Sequence, residues 1–220
     1  MKASKFMNII ILGPQGSGKG TQAEMLAKKF GWEHIDMGKF LREAAKMDTE
    51  LGKEINEIVN IKKELVSDKI LKKILHIKLQ ELPREAGVVF DGVPRNKEQA
   101  EYFDAVLLET GRMINFVVVV NLSEKESLER ISKRRICEKC KAVYIFGQDI
   151  KKENEKCPQC GGKIIRRVDD TEEGVKKRLK IFQEETKPII DFYKNQGKLI
   201  EINGDQAIEK VFEEILDKLK

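Results

Sequence analysis

The chain has 220 residues, 36% of them charged and 40% hydrophobic, with a net charge of +5. That is enough chain for one large α/β domain, or one core carrying insertions, with the composition of a soluble globular protein. No apolar run approaches the roughly 20 residues of a bilayer span and residues 1–6 lack the apolar core of a signal peptide, which argues against a membrane-spanning or secreted protein and makes a cytoplasmic one the expectation. Lysines interleave with acids along most helical stretches, so the surplus charge suits a small anionic substrate without requiring nucleic acid.

Residues 8–12 (Asn8-Ile9-Ile10-Ile11-Leu12) are nearly all apolar, as suits a strand buried on both faces. They run into Gly13-Pro14-Gln15-Gly16-Ser17-Gly18-Lys19-Gly20-Thr21, after which residues 22–30 have helical spacing. Strand, glycine loop, lysine and helix in this register make a phosphate cradle. Glycines let backbone N–H groups turn toward phosphate oxygens, Lys19 adds a mobile positive charge, and the helix points its positive end at the same place. Gly20 pushes the hydroxyl of Thr21 one residue later than in the commonest form of this loop.

A weaker strand is predicted over 33–36, a long non-core insert over 38–66, and a helix over 67–81. The buried strand at 88–91 ends in Asp91, followed by Gly92-Val93-Pro94-Arg95. A carboxylate at a strand end beside a phosphate loop can reach Mg²⁺, directly or through water, with Arg95 on a turn at the same edge. Further elements are a helix at 97–109, a strand at 115–121, a helix at 124–133 with a Ser123/Glu126 capping box, a helix at 172–194, a strand at 199–202 and a helix at 206–219. The alternation predicts a doubly wound α/β core of about five parallel strands flanked by helices, with ligands at the strands' C-terminal ends.

Residues 137–167 lack helical periodicity and hold all four cysteines. Cys137 and Cys140 form one C-x-x-C, Cys157 and Cys160 another, with sixteen residues between the pairs. Two such knuckles fold back into one tetrahedral four-thiolate site, with Pro158 and Gly161-Gly162 suited to the turns. Two disulfides are the bland alternative, disfavoured in a cytoplasmic chain. Zinc fits best and iron on the same thiolates stays open; with no open ligand position the metal is structural. Arginines flank this insert on both sides, and planar guanidinium groups match the oxygens of a transferring phosphoryl group. His34, His76 and Trp32 carry no partner spacing and read as ordinary structural residues.

Taken together, these segments resemble adenylate kinase in its long form with a metal-bearing lid. The likeness covers nearly the whole chain: the Gly13–Thr21 loop, Leu41-Arg42, Leu51-Gly52-Lys53, Leu65-Val66-Ser67-Asp68, Asp91-Gly92-Val93-Pro94-Arg95 with Gln99, Arg130 and Arg134, the cysteine pairs, and Arg167-Val168-Asp169-Asp170 with Arg178. The resemblance implies a P-loop NTPase fold with a CORE (1–36, 67–135, 168–220), an NMP-binding insert (37–66) and a LID (136–167), and the reaction of MgATP with AMP to give two ADP. It implies that Gly13 and Gly16 to Thr21 hold the donor phosphates while Lys19 follows the transferring group. Arg130, Val143, Tyr144 and Gln206 surround the donor base. Arg42 and Arg95 hold the acceptor phosphate, with Met37, Glu64, Leu65, Val66, Gly92 and Gln99 around the acceptor nucleoside. Arg134, Arg167 and Arg178 gather charge in the transition state, Asp91 orients the water shell of magnesium, and Asp169 and Asp170 tie the lid hinge to arginines. The implied partners are ATP, AMP and ADP, without nucleic acid or membrane; a monomer is the default, and a homo-oligomer stays open.

Several residues depart from the family's usual pattern. Asp36-Met37-Gly38-Lys39 stands where Ser-Thr-Gly-Asp is usual, Val93 replaces an aromatic, and Asn96 replaces a threonine and is also seen in UMP/CMP kinases. Gln99 favours AMP, since one amide can both donate and accept at the adenine edge, whereas Gln206 can present either amide end and suggests tolerance of GTP or other donors. UMP/CMP kinase or a broad acceptor range is therefore the alternative. An ATP-dependent nucleic-acid binder would predict a basic stripe with interleaved aromatics, and aromatics are only 6%. A non-catalytic metal-stabilised module would have no use for an intact Lys19, Arg95, Arg134 and Arg167.

Overall fold

The structure is a computed structural model and describes residues 6–62, 66–152, 155–168 and 170–220. In chain order the elements are β1 (Asn8–Leu12), α1 (Lys19–Phe30), β2 (Glu33–Asp36), α2 (Met37–Ala44), α3 (Glu50–Asn56), α4 (Asp68–Gln80), β3 (Val88–Asp91), α5 (Lys97–Glu109), β4 (Phe116–Asn121), α6 (Glu124–Lys133), β5 (Arg134–Cys137), β6 (Val143–Ile145), β7 (Ile164–Ile165), α7 (Glu172–Ile181), α8 (Lys187–Lys194), β8 (Leu199–Asn203) and α9 (Ile208–Lys218). Wide, π-type turns over Glu57–Lys62 and Phe182–Thr186 extend α3 and join α7 to α8.

The main sheet runs β2-β3-β1-β4-β8, every neighbouring pair parallel. β1 is central and both its faces are covered, which is why its sequence shows no polar alternation. Ile10 and Leu12 pack with Leu75, Phe103 and Ile189 on the side of α4, α5 and α8. Ile9 and Ile11 pack with Ala23, Leu26, Val211 and Ile215 on the side of α1 and α9. From β1 the chain winds first toward β2 and later toward β4, so the order reverses at the C-terminal end of β1, where the glycine loop begins. Trp32 is buried and stacks on Phe30 at 4.5 Å, a packing role as its sequence context predicts.

The opposite end of the sheet is closed by a buried guanidinium. Arg112 donates through Nη1 to Asn8 Oδ1 (3.2 Å) and Ala86 O (2.7 Å) and through Nη2 to Pro83 O, while Asn8 N–H bonds Asn115 Oδ1 at 2.8 Å. Arg112→Met strands these acceptors and is expected to lower the unfolding free energy by about 2–4 kcal/mol in urea titrations, with kcat nearly unchanged because the site lies at the other end of the strands.

Two sequence expectations change. The periodic run at 172–194 is not one helix, because the chain widens at Phe182–Thr186, a turn that brings the buried Thr186 to donate its hydroxyl to Arg95 O at 2.8 Å. The helix after the glycine loop begins at Lys19 itself rather than at residue 22. The cysteine segment forms a three-stranded antiparallel sheet, β6-β5-β7, that grows directly out of α6.

Candidate active site

The glycine loop is shaped by its lack of side chains. Gly16 and Gly18 have φ of +86° and +88°, a left-handed backbone that admits glycine far more readily than other residues. α1 starts after Gly18 with no side-chain cap, whereas α2, α3, α5, α6 and α7 are capped by Asp36, Thr49, Asn96, Ser123 and Thr171. The first-turn N–H groups of α1 are therefore left for an anion. A β-carbon on Gly20 would lie 3.0 Å from Asp91 Oδ2, so any larger residue would press on the carboxylate ending β3. This contact gives a physical reason for the displaced hydroxyl of the loop. Asp91 is buried, and His34 Nε2 stands 3.8 Å from its Oδ2 with no hydrogen-bond partner. This closeness has no signal along the chain and arises from the pairing of β2 with β3.

Positive charge converges over the loop. Burial lowers the pKa of Lys19; Asp91 and Asp36 oppose that shift, while Arg95 and Arg134 add to it. Arg95 is likewise lowered by burial, against Asp91 and Asp36 and with Arg167. Arg95 and Arg134 thus act on Lys19 and Arg167 acts on Arg95, a run of positive charge that polyphosphate would neutralise.

Arg95 is held from several directions. Its Nε donates to Gly92 O (2.7 Å), its backbone N–H to Gln99 Oε1 (2.8 Å), and its carbonyl accepts from Thr186. Asn96 caps α5 by accepting from Gln99 N at 2.7 Å, a local reason for asparagine there. Gln99 is buried with its oxygen already engaged, so accepting from a base amino group would use that oxygen's second lone pair. A β-carbon on Gly38 would lie 2.9 Å from Arg42 Nη1, 3.3 Å from Asp36 Oδ1 and 3.7 Å from Arg95 Nη2. Gly38 therefore sits under the two arginines expected at the acceptor phosphate, a role its sequence context did not signal. The side chains of Met37 and Val66 are instead buried in the core cluster of Ile10, Leu41 and Leu71. Glu64, Leu65 and Asp169 lie outside the described residues.

On the donor side, Arg130 donates to Gly204 O (3.0 Å) and Asp205 Oδ1 (3.2 Å), and Gln206 Nε2 to Asn203 O (2.9 Å). Both expected base neighbours therefore gather at the loop after β8. Val143 is exposed on β6, but Tyr144 turns into the small core of the cysteine segment and approaches Cys157 Sγ to 3.1 Å, so its ring packs inside that segment.

One carboxylate organises the hinge. Asp170 receives Arg134 Nε (2.8 Å) and Nη2 (2.5 Å), Arg178 Nη2 (3.5 Å) and Gln15 Nε2 (3.3 Å), and its side chain is fully buried.

In the lid, the four cysteine sulfurs all lie within 4.8 Å of one another. Cys137 Sγ is 3.5 Å from Cys160 Sγ, and Cys140 Sγ is 3.6 Å from Cys157 Sγ, far beyond a disulfide bond. The residue after each pair, Lys141 and Gly161, has positive φ (65° and 69°), so the two knuckles repeat one geometry. A β-carbon on Gly162 would come 2.9 Å from Cys137 Sγ. Against the burial that would raise it, Cys157 is brought down to about 6 by the Tyr144 hydroxyl and the amides of Cys160 and Gln159. Cys140, although its thiolate accepts from the Ala142 amide, is pushed up to about 12 by burial and by the neighbouring sulfurs. Four thiols this close, with donors aimed at their sulfurs, fit a tetrahedral metal site.

The comparisons with known proteins agree with this geometry. The adenylate kinase family model matches residues 11–198. Adenylate kinase of Archaeoglobus fulgidus is 42% identical over 217 residues, covering 97% of this chain and all of that protein. The adenylate kinases of Petrotoga mobilis (40%) and Caldicellulosiruptor saccharolyticus (41%) are matched over 97% of this chain and 98% and 99% of their own lengths.

Proposed function

The chain belongs to the adenylate kinase family and transfers a phosphoryl group from MgATP to AMP, giving two ADP, and we propose that it does so by direct in-line transfer between nucleotides bound on either side of Lys19. The observation that carries this reading is the uncapped glycine loop with Asp91 against Gly20 and the buried Lys19 within the fields of Arg95 and Arg134. In-line transfer needs positioning and charge neutralisation, with no covalent intermediate on the protein.

In this reading the α1 N-terminus and the loop residues Gly13 and Gly16 to Thr21 cradle the donor phosphates. Lys19 moves with the transferring group, and Arg134, Arg167 and Arg178 spread its charge. Arg42 and Arg95 hold the acceptor phosphate over Gly38, while Gln99 and Gly92 meet the base. Arg130, Gln206 and the exposed Val143 edge border the donor base. Asp91 fits magnesium's water shell, being a strand-end carboxylate with space preserved by Gly20. Magnesium bound with the nucleotide would neutralise charge on its phosphate oxygens. The insert at 37–66 and the lid at 136–167 close over the core so that water is excluded from the transfer. The names of the relatives do not favour the UMP/CMP alternative. A coupled assay of ADP formation, crossing AMP, UMP, CMP and GMP with four NTP donors, tests the reading: AMP should lead every acceptor, and equal or better turnover with UMP or CMP would overturn it.

The lid cysteines hold zinc, as a structural clamp on a segment with a very small core of its own. One zinc per chain is expected by atomic emission, with no visible absorbance of the kind an iron–thiolate site would give. Stripping it with a thiol reagent should weaken ATP binding while leaving AMP binding nearly intact, measured by calorimetry. Among the described residues no helix is long and apolar enough to cross a membrane.

A further inference from the structure

The end of β2 carries a second carboxylate that the reaction described above does not use. β2 ends at Asp36, which is the register partner of Asp91 across the parallel β2–β3 pair. Two acids therefore stand side by side at the C-terminal edge of the sheet. Asp91 faces the glycine loop across Gly20, and Asp36 faces the acceptor arginines across Gly38. The half-buried Asp36 also accepts from Lys39 N–H at 2.8 Å, capping α2. The cap does not explain the charge, since serine or asparagine would cap the helix as well. The charge has a definite location: Asp36 Oδ1, Arg42 Nη1 and Arg95 Nη2 all lie within 4 Å of the position a Gly38 β-carbon would take.

We propose that Asp36 is an affinity-tuning residue of the acceptor site, its carboxylate lying near the guanidinium ends of Arg42 and Arg95 and lowering the affinity for the monophosphate. This rests on the adenylate kinase reading of the site. An incoming AMP dianion must take over guanidinium donors that Asp36 attracts, and must sit close to its negative charge. The field of Asp36 extends to Lys19 and Arg95, so its effect is felt at both phosphates. The carboxylate acts on the phosphate and not on the nucleoside, so it weakens binding of any phosphorylated acceptor while leaving the base contacts unaltered.

The test compares the wild-type enzyme with Asp36→Ser and Asp36→Asn, both of which keep a capping oxygen. Calorimetric titrations with AMP, adenosine and inorganic phosphate are run on each protein, with thermal melts as a check on α2. Both variants should bind AMP about ten-fold tighter than wild type, and phosphate tighter too, with adenosine unchanged; a ten-fold gain is about 1.4 kcal/mol. Unchanged or weaker AMP binding in both variants overturns the proposal, as does an equal gain for adenosine, which would mark a change of pocket shape. If the wild-type protein binds adenosine and AMP at neither level in any buffer, the acceptor-site reading itself fails, a result separable from the others.

Discussion

Lys19→Met is expected to lower kcat by roughly 10³-fold or more while leaving the protein as stable as before or more so. The first half follows from position. Lys19 opens α1 at an uncapped N-terminus within the fields of Arg95 and Arg134, and in the proposed reading it is the cation that follows the transferring group. Methionine keeps the length and the helix propensity of lysine but not the charge, so nothing follows the phosphoryl group as it leaves the donor. The second half follows from linkage. Burial lowers the Lys19 pKa, with Arg95 and Arg134 adding to the effect, so folding disfavours the ammonium form. The ammonium therefore costs stability at any pH below its folded pKa, and that cost fades as pH rises toward the ordinary value of 10.5. Removing the charge removes the cost across the neutral range. Single-turnover kinetics with MgATP and AMP give the first quantity, and denaturant titration at pH 7 gives the second. A variant that loses stability along with activity would show that Lys19 serves the fold instead.

The features legible in the sequence are those encoded by neighbours along the chain. The glycine loop, its strand and its helix are contiguous, so spacing alone locates the phosphate cradle. The C-x-x-C pairs locate the lid site for the same reason, and the Ser123/Glu126 box marks the start of α6. The buried runs at β1, β3 and β4 reveal a parallel sheet because covering both faces removes the alternation. Where the reading falls short, two distant segments meet. The 172–194 run keeps helical periodicity through a π-type turn, since one extra residue per turn leaves the apolar spacing nearly intact, and the turn's purpose, Thr186 on Arg95, lies 91 residues away in the chain.

The site shows the same division. Arg95, Arg134 and Asp91 stand out beside strand ends and insert boundaries. Gly38 does not, because a glycine required by the approach of Arg42 looks like any other glycine in the sequence, and Gly20, although the loop motif marks it, shows nothing there of its closeness to Asp91. Met37 and Tyr144 show the converse. They occupy positions the family resemblance assigns to ligands, yet their side chains are taken up by the core and the lid, and only the fold decides which way a side chain points.

Asp170→Asn should lower kcat about 100-fold and destabilise the fold by about 3 kcal/mol, effects that come from one geometry. β5 begins at Arg134 and α7 follows shortly after Asp170, so the bidentate pair between them, 36 residues apart in sequence, pins together the two ends of the cysteine segment. Gln15 of the glycine loop and Arg178 of α7 bond the same carboxylate. Its charge faces two guanidinium groups whose side chains are only 14% and 21% exposed. Asparagine keeps the shape but removes that charge, and one of its two ends presents N–H donors to arginines that can only donate. Arg134 binds Asp170 through Nε and Nη2, which leaves Nη1 for a phosphoryl oxygen; when the pair is lost, the guanidinium is free to rotate away from that direction. The catalytic loss should therefore depend on Arg134. In a double-mutant cycle, Asp170→Asn should cost far less kcat in an Arg134→Ala background than in the wild type. Added salt should restore little of the lost stability, since the pair is buried and weakly screened. Additive losses across the cycle would mean that Asp170 supports the hinge without orienting Arg134, and would separate the two roles the structure gives it.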